Sequence, residues 1–378
     1  MKILYDSVMP YAEAFFGHIG ICEPFELGKI SSEALANADV LLTRSTTKVD
    51  ASLLECGNNL KFVGTATAGI NHFDTAALDD KNITWTSAAG CNARAVAEYV
   101  LAALLYLAEQ DGFLLKNKQI AIVGVGAVGK QVADIATALG MQVVLYDPPR
   151  AAIDANFSSS IFEEVLQADI ISLHAPLTHN GQYPTKHMFN SDVLNSMQSS
   201  QYIVSASRGE LIDTQALLDM NDDCPQLVMD CWENEPYIST DLMSRCRLAT
   251  AHIAGHSLEG KARGTSILYD KLCAFLGVEK QHSLAEFLPQ MDHSHELTAC
   301  TQSFAHQNLN QTSLSSLVKC FYDIENDDSF FRQHMAKSES ITPIRKNYPI
   351  RREFDAVDIS VDDAADKLTL SSLGFSVS

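Results

Sequence analysis

"QIAIVGVGAVGKQVADIATALGMQVVLYD", Gln119–Asp147, decides the fold. An apolar run, "IAIV", reads as a buried strand. It breaks into three glycines at G-x-G-x-x-G spacing, Gly124, Gly126 and Gly129. A helical pattern follows, then a second apolar strand, "QVVLY", that ends in an acid. Strand, glycine turn, helix, strand is the first half of a doubly wound parallel sheet. Its glycines let a pyrophosphate approach the backbone at a helix N-terminus. Asp147 lies 18 residues beyond Gly129. There a carboxylate accepts hydrogen bonds from adenosine ribose hydroxyls and repels a 2′-phosphate, so the spacing predicts NAD over NADP. The competing reading makes Asp147 only the start of a turn before Pro148 and Pro149.

Working outward, short apolar runs alternate with helical patterns before this unit and after it. "KILYD", "ADVLLTRS", "LKFVGTATAG" and "ITWTSAAG" read as strands in the first ninety or so residues. "SSEALANA" and "DASLLECG" read as helices capped by Ser31 and Asp50. "NARAVAEYVLAALLYLAEQ" is a long helix, apolar on most of its faces. "ADIISLHAP", "QYIVSAS", "QLVMDCW" and "RLATAHIAG" continue the second sheet, with "TQALLDM" a helix among them. The expected fold class is α/β, with two Rossmann-like or flavodoxin-like doubly wound domains and a cleft between them. A small α+β C-terminal domain follows, because polar and charged runs take over after Gly277. The expected boundaries are 1–92 plus about 256–280, then 93–255, then 281–378.

Composition narrows the function. The 378 residues carry 47 acids against 27 bases, a formal charge of −20. A general nucleic-acid binder needs a basic footprint, which this chain lacks. An anionic substrate would need a local cluster of Arg or Lys. The nine cysteines form no C-x-x-C pair, and an odd number cannot all pair within one chain. Reduced thiols in the cytoplasm are the expectation. "MKILYDSVMP" has too short an apolar run for a signal peptide, and "YVLAALLYLA" is too short to span a bilayer.

Three segments put chemistry at strand ends. "SASRGELID" offers Arg208; "MDCWENEP" offers Asp230, Glu233 and Glu235; "AHIAGHSLEG" offers His252 and His256. An Arg, a Glu and a His suit oxidation of a 2-hydroxy acid. The guanidinium grips a carboxylate in a bidentate fork, the imidazole takes the C2 hydroxyl proton, and the Glu fixes the imidazole tautomer and raises its pKa. The competing reading is three unrelated polar residues.

The order "GVGAVG", "HAPLT", "ASRGELID", "DCWENEP", "HIAGH" resembles the D-isomer-specific 2-hydroxyacid dehydrogenases. The resemblance implies Arg208, Glu235 and His252 as the catalytic set. It implies NAD contacts at Gly124, Gly126, Val128, Gly129, Asp147, Pro176, Ala206, Asp230 and Gly255. "KFVGTATAGINHFD", "GCNARAVAEYV", "AEQDGF", "GKARGT" and "IRKNYPIRREF" narrow it to the erythronate-4-phosphate dehydrogenase branch, over essentially the whole chain. That branch implies NAD-dependent oxidation of 4-phospho-D-erythronate in vitamin B6 synthesis, and a C-terminal domain that forms a homodimer. It implies substrate contacts at Ser45, Thr67 and the position of His256. Arg44, alone or with Arg345 or Lys346, is the expected phosphate holder. Two residues depart from the branch's "PHIAGY": His256 replaces a Tyr and Ala251 a Pro. The alternatives are a phosphoglycerate-, hydroxypyruvate- or glyoxylate-type enzyme of the same family, or a non-catalytic NAD-sensing protein.

The remaining polar features take plainer readings. His174 is structural or lines the adenine side. Glu233 is surface. The "HSH" at His293–His295 lacks a third ligand, so no metal is expected. Cys91 and Cys231 are packing residues, and "ENDDS" is a solvated loop.

Overall fold

A computed structural model describes residues 1–26, 29–220, 223–290, 301, 304 and 309–378. His293–His295 lie outside the described residues. The chain divides into two compact units. One comprises Met1–Ala93 with His256–Gln290, the other Arg94–Gly255 with the described part of 291–378.

The first unit holds five parallel strands: β1 (Lys2–Asp6), β2 (Ile21–Phe25), β3 (Val40–Thr43), β4 (Phe62–Thr65) and β5 (Thr84–Ser87). Their order is β2-β1-β3-β4-β5, the flavodoxin-like winding. "VLLT" and "FVGT" are buried at every position, as parallel strands covered on both faces must be. The mixed sequence of β2, "ICEPF", suits its place at the sheet edge, where Pro24 interrupts no central ladder. Ser31 and Asp50 cap their helices by accepting the amides of Ala34 and Leu53. One sheet face packs with Phe15, Phe16, Leu268 and Tyr269, the last two from the returning helix Leu258–Leu276. The other packs with Leu35, Leu54 and Leu78.

The second unit begins with the buried helix Ala93–Asp111. Its strands are β6 (Gln119–Val123), β7 (Gln142–Tyr146), β8 (Ile170–Leu173), β9 (Tyr202–Ser205), β10 (Gln226–Met229) and β11 (Leu248–Ala249). All are parallel, in the order β11-β10-β9-β8-β6-β7. β6 pairs with β7 on one side and β8 on the other, so the winding reverses there. Ligands of such sheets bind at the carboxyl ends of the strands that flank the reversal. The expected strand in "RLATAHIAG" stops at Ala249. From Thr250 onward the chain is a loop fixed by side-chain hydrogen bonds.

After residue 309 come helices Gln311–Phe321, Ile324–Met335, Thr342–Lys346 and Ala364–Leu373, and a two-stranded parallel ladder, β12 (Asp358–Ile359) with β13 (Ser376–Val377). Helix Ala364–Leu373 lies against helix Ala127–Ala138. The "ENDDS" run is not a solvated loop but the first turns of helix Ile324–Met335. Acids there complement the helix dipole. Asp327 accepts the hydroxyls of Tyr322 and Tyr348 at 2.8 and 2.7 Å, and burial pushes its carboxyl up. Seven cysteines of the described residues are free thiols. Among the described residues, no helix is long and apolar enough to cross a membrane.

Candidate active site

Six strands of the second sheet deliver loops to one edge. After β6 comes the glycine turn. Gly124 has φ +86°, and a Cβ there would sit 2.5 Å from the Ala175 nitrogen, so only glycine lets the turn lie against the loop after β8. Gly126 starts helix Ala127–Ala138 with no side-chain cap, and open space surrounds its missing Cβ. The first amides of this helix therefore have no side-chain cap and are open to an anion. Val128 sits in the helix's first turn.

After β7, Asp147 accepts the Val125 amide at 2.8 Å and the Arg150 amide at 3.0 Å, and caps helix Pro148–Ala151. The Arg150 guanidinium in turn donates to the Val125 carbonyl at 2.8 Å. The acid thus holds the glycine turn open, and each oxygen keeps capacity to accept a ribose hydroxyl. The turn, the exposed helix amides and this carboxylate fit the pyrophosphate and ribose of NAD.

After β8 comes His174. Its Nε2 pairs with the Ser172 hydroxyl at 2.8 Å, and burial pushes its pKa down to about 3. Pro176 follows in the same loop and accepts the Thr185 hydroxyl on its carbonyl.

After β9 come Ala206, Ser207 and Arg208. The Arg208 guanidinium donates to the Ser207 carbonyl at 2.7 Å. Gly209 is pressed against the next loop: a Cβ would sit 1.9 Å from the Trp232 carbonyl carbon. This contact seats the Arg208 turn directly on the loop after β10. There Glu235 accepts from His252 Nδ1 at 2.7 Å and, through its other oxygen, from the Trp232 amide at 2.9 Å. Burial raises the Glu235 carboxyl. The His252 bond and charge, the Trp232 amide and the Arg345 charge outweigh it, and hold the group below the usual carboxylate range. An ionised carboxylate on Nδ1 keeps the proton there and leaves Nε2 as the basic nitrogen.

His252 itself has φ +57°, a left-handed conformation that costs about 1–3 kcal/mol outside glycine. Asp230, 1% exposed, holds the residues around it. Its carboxylate accepts the Thr250 hydroxyl at 2.7 Å and the amides of Ile253 and Ala254 at 2.7 and 3.0 Å. Gly255 closes this run and the unit.

Glu233 is not surface. Its side chain is 15% exposed. It accepts from His187 Nε2 at 2.7 Å and from the Thr214 amide at 3.1 Å. Asp213 lies 3.7 Å from the other ring nitrogen of His187. Sequence reading missed this bridge, because "TKHMF" carries no signal that its partners are 26 and 46 residues away. Cys231 is fully buried, its thiol pushed well up by burial and by Asp230 and Glu235. It lies close to Glu235 and His252.

The remaining expected contacts belong to the first unit. Arg44 and Ser45 follow β3, and Thr67 follows the adjacent β4. Thr67 pairs with the Thr65 hydroxyl at 2.8 Å, and Thr65 pairs with His72 Nε2 at 3.0 Å. Burial lowers the His72 pKa to about 4. His256 is the residue at which the chain re-enters this unit.

Residues 105–254 match the D-isomer specific 2-hydroxyacid dehydrogenase NAD binding domain, and residues 297–374 match a domain of unknown function. The chain is 42% identical over 380 residues to the erythronate-4-phosphate dehydrogenase of Pseudoalteromonas translucida, covering 100% of both. It is 43% identical to that of Pseudoalteromonas atlantica, covering 99% of both. Among solved structures, it resembles an NAD-dependent formate dehydrogenase of Staphylococcus aureus in complex with NAD. That match has TM-score 0.59 and 25% identity, over 73% of this chain and 96% of the other. A Thermus thermophilus protein matches with TM-score 0.62 and 23% identity, over 75% and 99%.

Two outcomes follow. Gly209→Ala is expected to cost about 1–3 kcal/mol from overpacking, and to lower turnover by displacing Arg208; thermal melts and steady-state kinetics measure both. His174 has a folded pKa far below its unfolded 6.5, so the unfolded chain binds more protons and stability falls as pH drops. Between pH 7 and pH 5 the loss from this group is about 2 kcal/mol. His174→Asn should remove that part of the slope in denaturant titrations at the two pH values.

Proposed function

Because the chain belongs to the erythronate-4-phosphate dehydrogenase family of D-isomer-specific 2-hydroxyacid dehydrogenases, we propose that it oxidises 4-phospho-D-erythronate. The product is (R)-3-hydroxy-2-oxo-4-phosphobutanoate, in a step of pyridoxal 5′-phosphate synthesis. The observation that carries the reading is the His252–Glu235 pair at 2.7 Å, on the loop against which Gly209 seats the Arg208 turn. Both lie on the sheet edge that bears the dinucleotide cradle.

When bound, NAD supplies the hydride acceptor. The chain's own residues do the rest. Arg208 grips the substrate carboxylate and polarises the C2 oxygen. Its planar fork matches a carboxylate in a way an ammonium does not. His252 receives the C2 hydroxyl proton on Nε2. The imidazolium that results is stabilised by the ionised Glu235 on Nδ1. Gly124, Gly126, Val128 and Gly129 receive the pyrophosphate, and Asp147 the ribose. Pro176, Ala206, Asp230 and Gly255 are the further cofactor contacts of this reading. Asp230 meets that role indirectly as well, since its oxygens already fix the His252 loop.

Ser45, Thr67 and His256 are assigned to the substrate, with Arg44 holding the phosphate. Arg345 is the second candidate for the phosphate, because its charge already acts on Glu235 and Cys231. The C-terminal segment is assigned to homodimerisation, and the enzyme to the cytoplasm.

The test is NAD reduction against 2-hydroxy acids with and without a 4-phosphate. Preference for 4-phospho-D-erythronate is expected; preference for an unphosphorylated acid overturns the substrate. His252→Gln should lower kcat by about 10²–10⁴ with little change in KM. Arg208→Lys should raise KM and lower kcat together, by about 10- to 100-fold in kcat/KM, through the lost charged hydrogen bonds. Ordinary kinetics in either variant would remove that residue from the catalytic set. Arg44→Ala should weaken phosphorylated acids selectively, read as KM against the unphosphorylated analogue.

A further inference from the structure

The segment that matches a domain of unknown function bonds to the loops that carry Glu235 and His252, within the second unit. Asp328 accepts the Ala249 amide at 2.7 Å, at the last residue before the His252 loop. Arg332 donates to the carbonyls of Met243 and Cys246, both at 2.9 Å. The Ile341 amide donates to the Pro236 carbonyl at 3.0 Å, one residue after Glu235. Arg351 goes deepest. It is 6% exposed, and its Nη2 donates to the Ala254 carbonyl at 2.6 Å and the Ala95 carbonyl at 2.8 Å. Its guanidinium lies over the Tyr322 ring, 4.4 Å from the centroid. Burial disfavours its charge, but Tyr322, Tyr348, Glu98 and Asp327 more than compensate, so the group stays cationic.

These bonds complete what Asp230 begins. The Ala254 amide is held by Asp230 and the Ala254 carbonyl by Arg351, so one residue is pinned from both sides. It lies two positions after His252, whose left-handed backbone persists only where its surroundings over-determine it. A buried cation that spends only its Nη2 on two main-chain carbonyls and leaves Nε and Nη1 without hydrogen-bond partners is a costly way to fill space. Its geometric product is a fixed loop.

We propose that Arg351 is a positioning residue for the reaction: by anchoring Ala254 it holds His252 in register with Glu235, and so makes the C-terminal segment part of the catalytic scaffold of its own chain. This rests on the function proposed above only for the reaction assayed; the loop-anchoring half is read independently of it.

The test uses the full-length protein with Arg351→Met, Arg351→Lys and, as a milder change, Tyr322→Leu, which keeps the guanidinium but removes the ring beneath it. Thermal melts establish folding, and NAD titration followed by tryptophan fluorescence reads the cofactor site. Kinetics with 4-phospho-D-erythronate read the reaction, and amide hydrogen exchange reads the peptide spanning 249–256. For Arg351→Met the expected result is a 10- to 100-fold lower kcat with KM and NAD affinity within about threefold, and faster exchange confined to 249–256. Arg351→Lys and Tyr322→Leu should fall between this and the wild type. Folded variants that keep kcat within twofold and show unchanged exchange at 249–256 overturn the proposal. So does loss of folding in all three, which would make Arg351 a general fold element. If the wild type ignores 4-phospho-D-erythronate, the substrate assignment fails, while the exchange result still decides whether Arg351 anchors the loop.

Discussion

The buried carboxylate of Asp230 fixes where His252 can be. It takes two consecutive amides, those of Ile253 and Ala254, and the hydroxyl of Thr250. Together these bonds bend the chain after β11 into a loop and leave His252 at positive φ. The strain is tolerable because a charged acceptor with three donors in a dry site contributes more than neutral hydrogen bonds would. The rest of the edge is arranged on that loop. Trp232 donates its indole N–H to the Thr250 carbonyl and its amide to Glu235. Gly209 then packs on the Trp232–Glu233 peptide, which sets the Arg208 turn. Thus three strands, β9, β10 and β11, contribute one constellation because their loops bond to each other and not only because their ends align.

How much of this was legible in the sequence depends on the distance between partners. The glycine turn, Asp147, and the loops bearing Arg208, Glu235 and His252 lie in short motifs whose chemistry is local to a strand end. Ser31 and Asp50 were legible as caps, because a cap bonds three residues ahead. The extent of β11 was not legible. "LATAHIAG" is apolar enough for a strand, but Asp230, twenty residues upstream of Thr250, takes the amides a ladder would use. Glu233 and the "ENDDS" run misled for the same reason. An acid reads as surface unless its partner is visible, and His187, Ala249, Tyr322 and Tyr348 are each distant in sequence or carry no signal of the pairing. Arg351, bonded to a carbonyl 256 residues away, is the extreme case.

A chain with formal charge −20 is proposed to bind an anion with a carboxylate at one end and a phosphate at the other. Simple counting sets these in conflict, but the local assignments resolve it. Asp147 is engaged with the Val125 and Arg150 amides, Asp230 with loop donors, Glu233 with His187, and Glu235 with His252. Each of these four acids is answered by donors or a titratable ring before any substrate arrives. The positive half of the inventory comprises the Arg208 guanidinium, the amides at the start of helix Ala127–Ala138, and Arg345. Field at a site is set by nearby, poorly screened groups; exposed acids farther than about 10 Å are damped by salt. On the proposed reading, anion recognition then rests on these few nearby groups and not on the net charge of the chain.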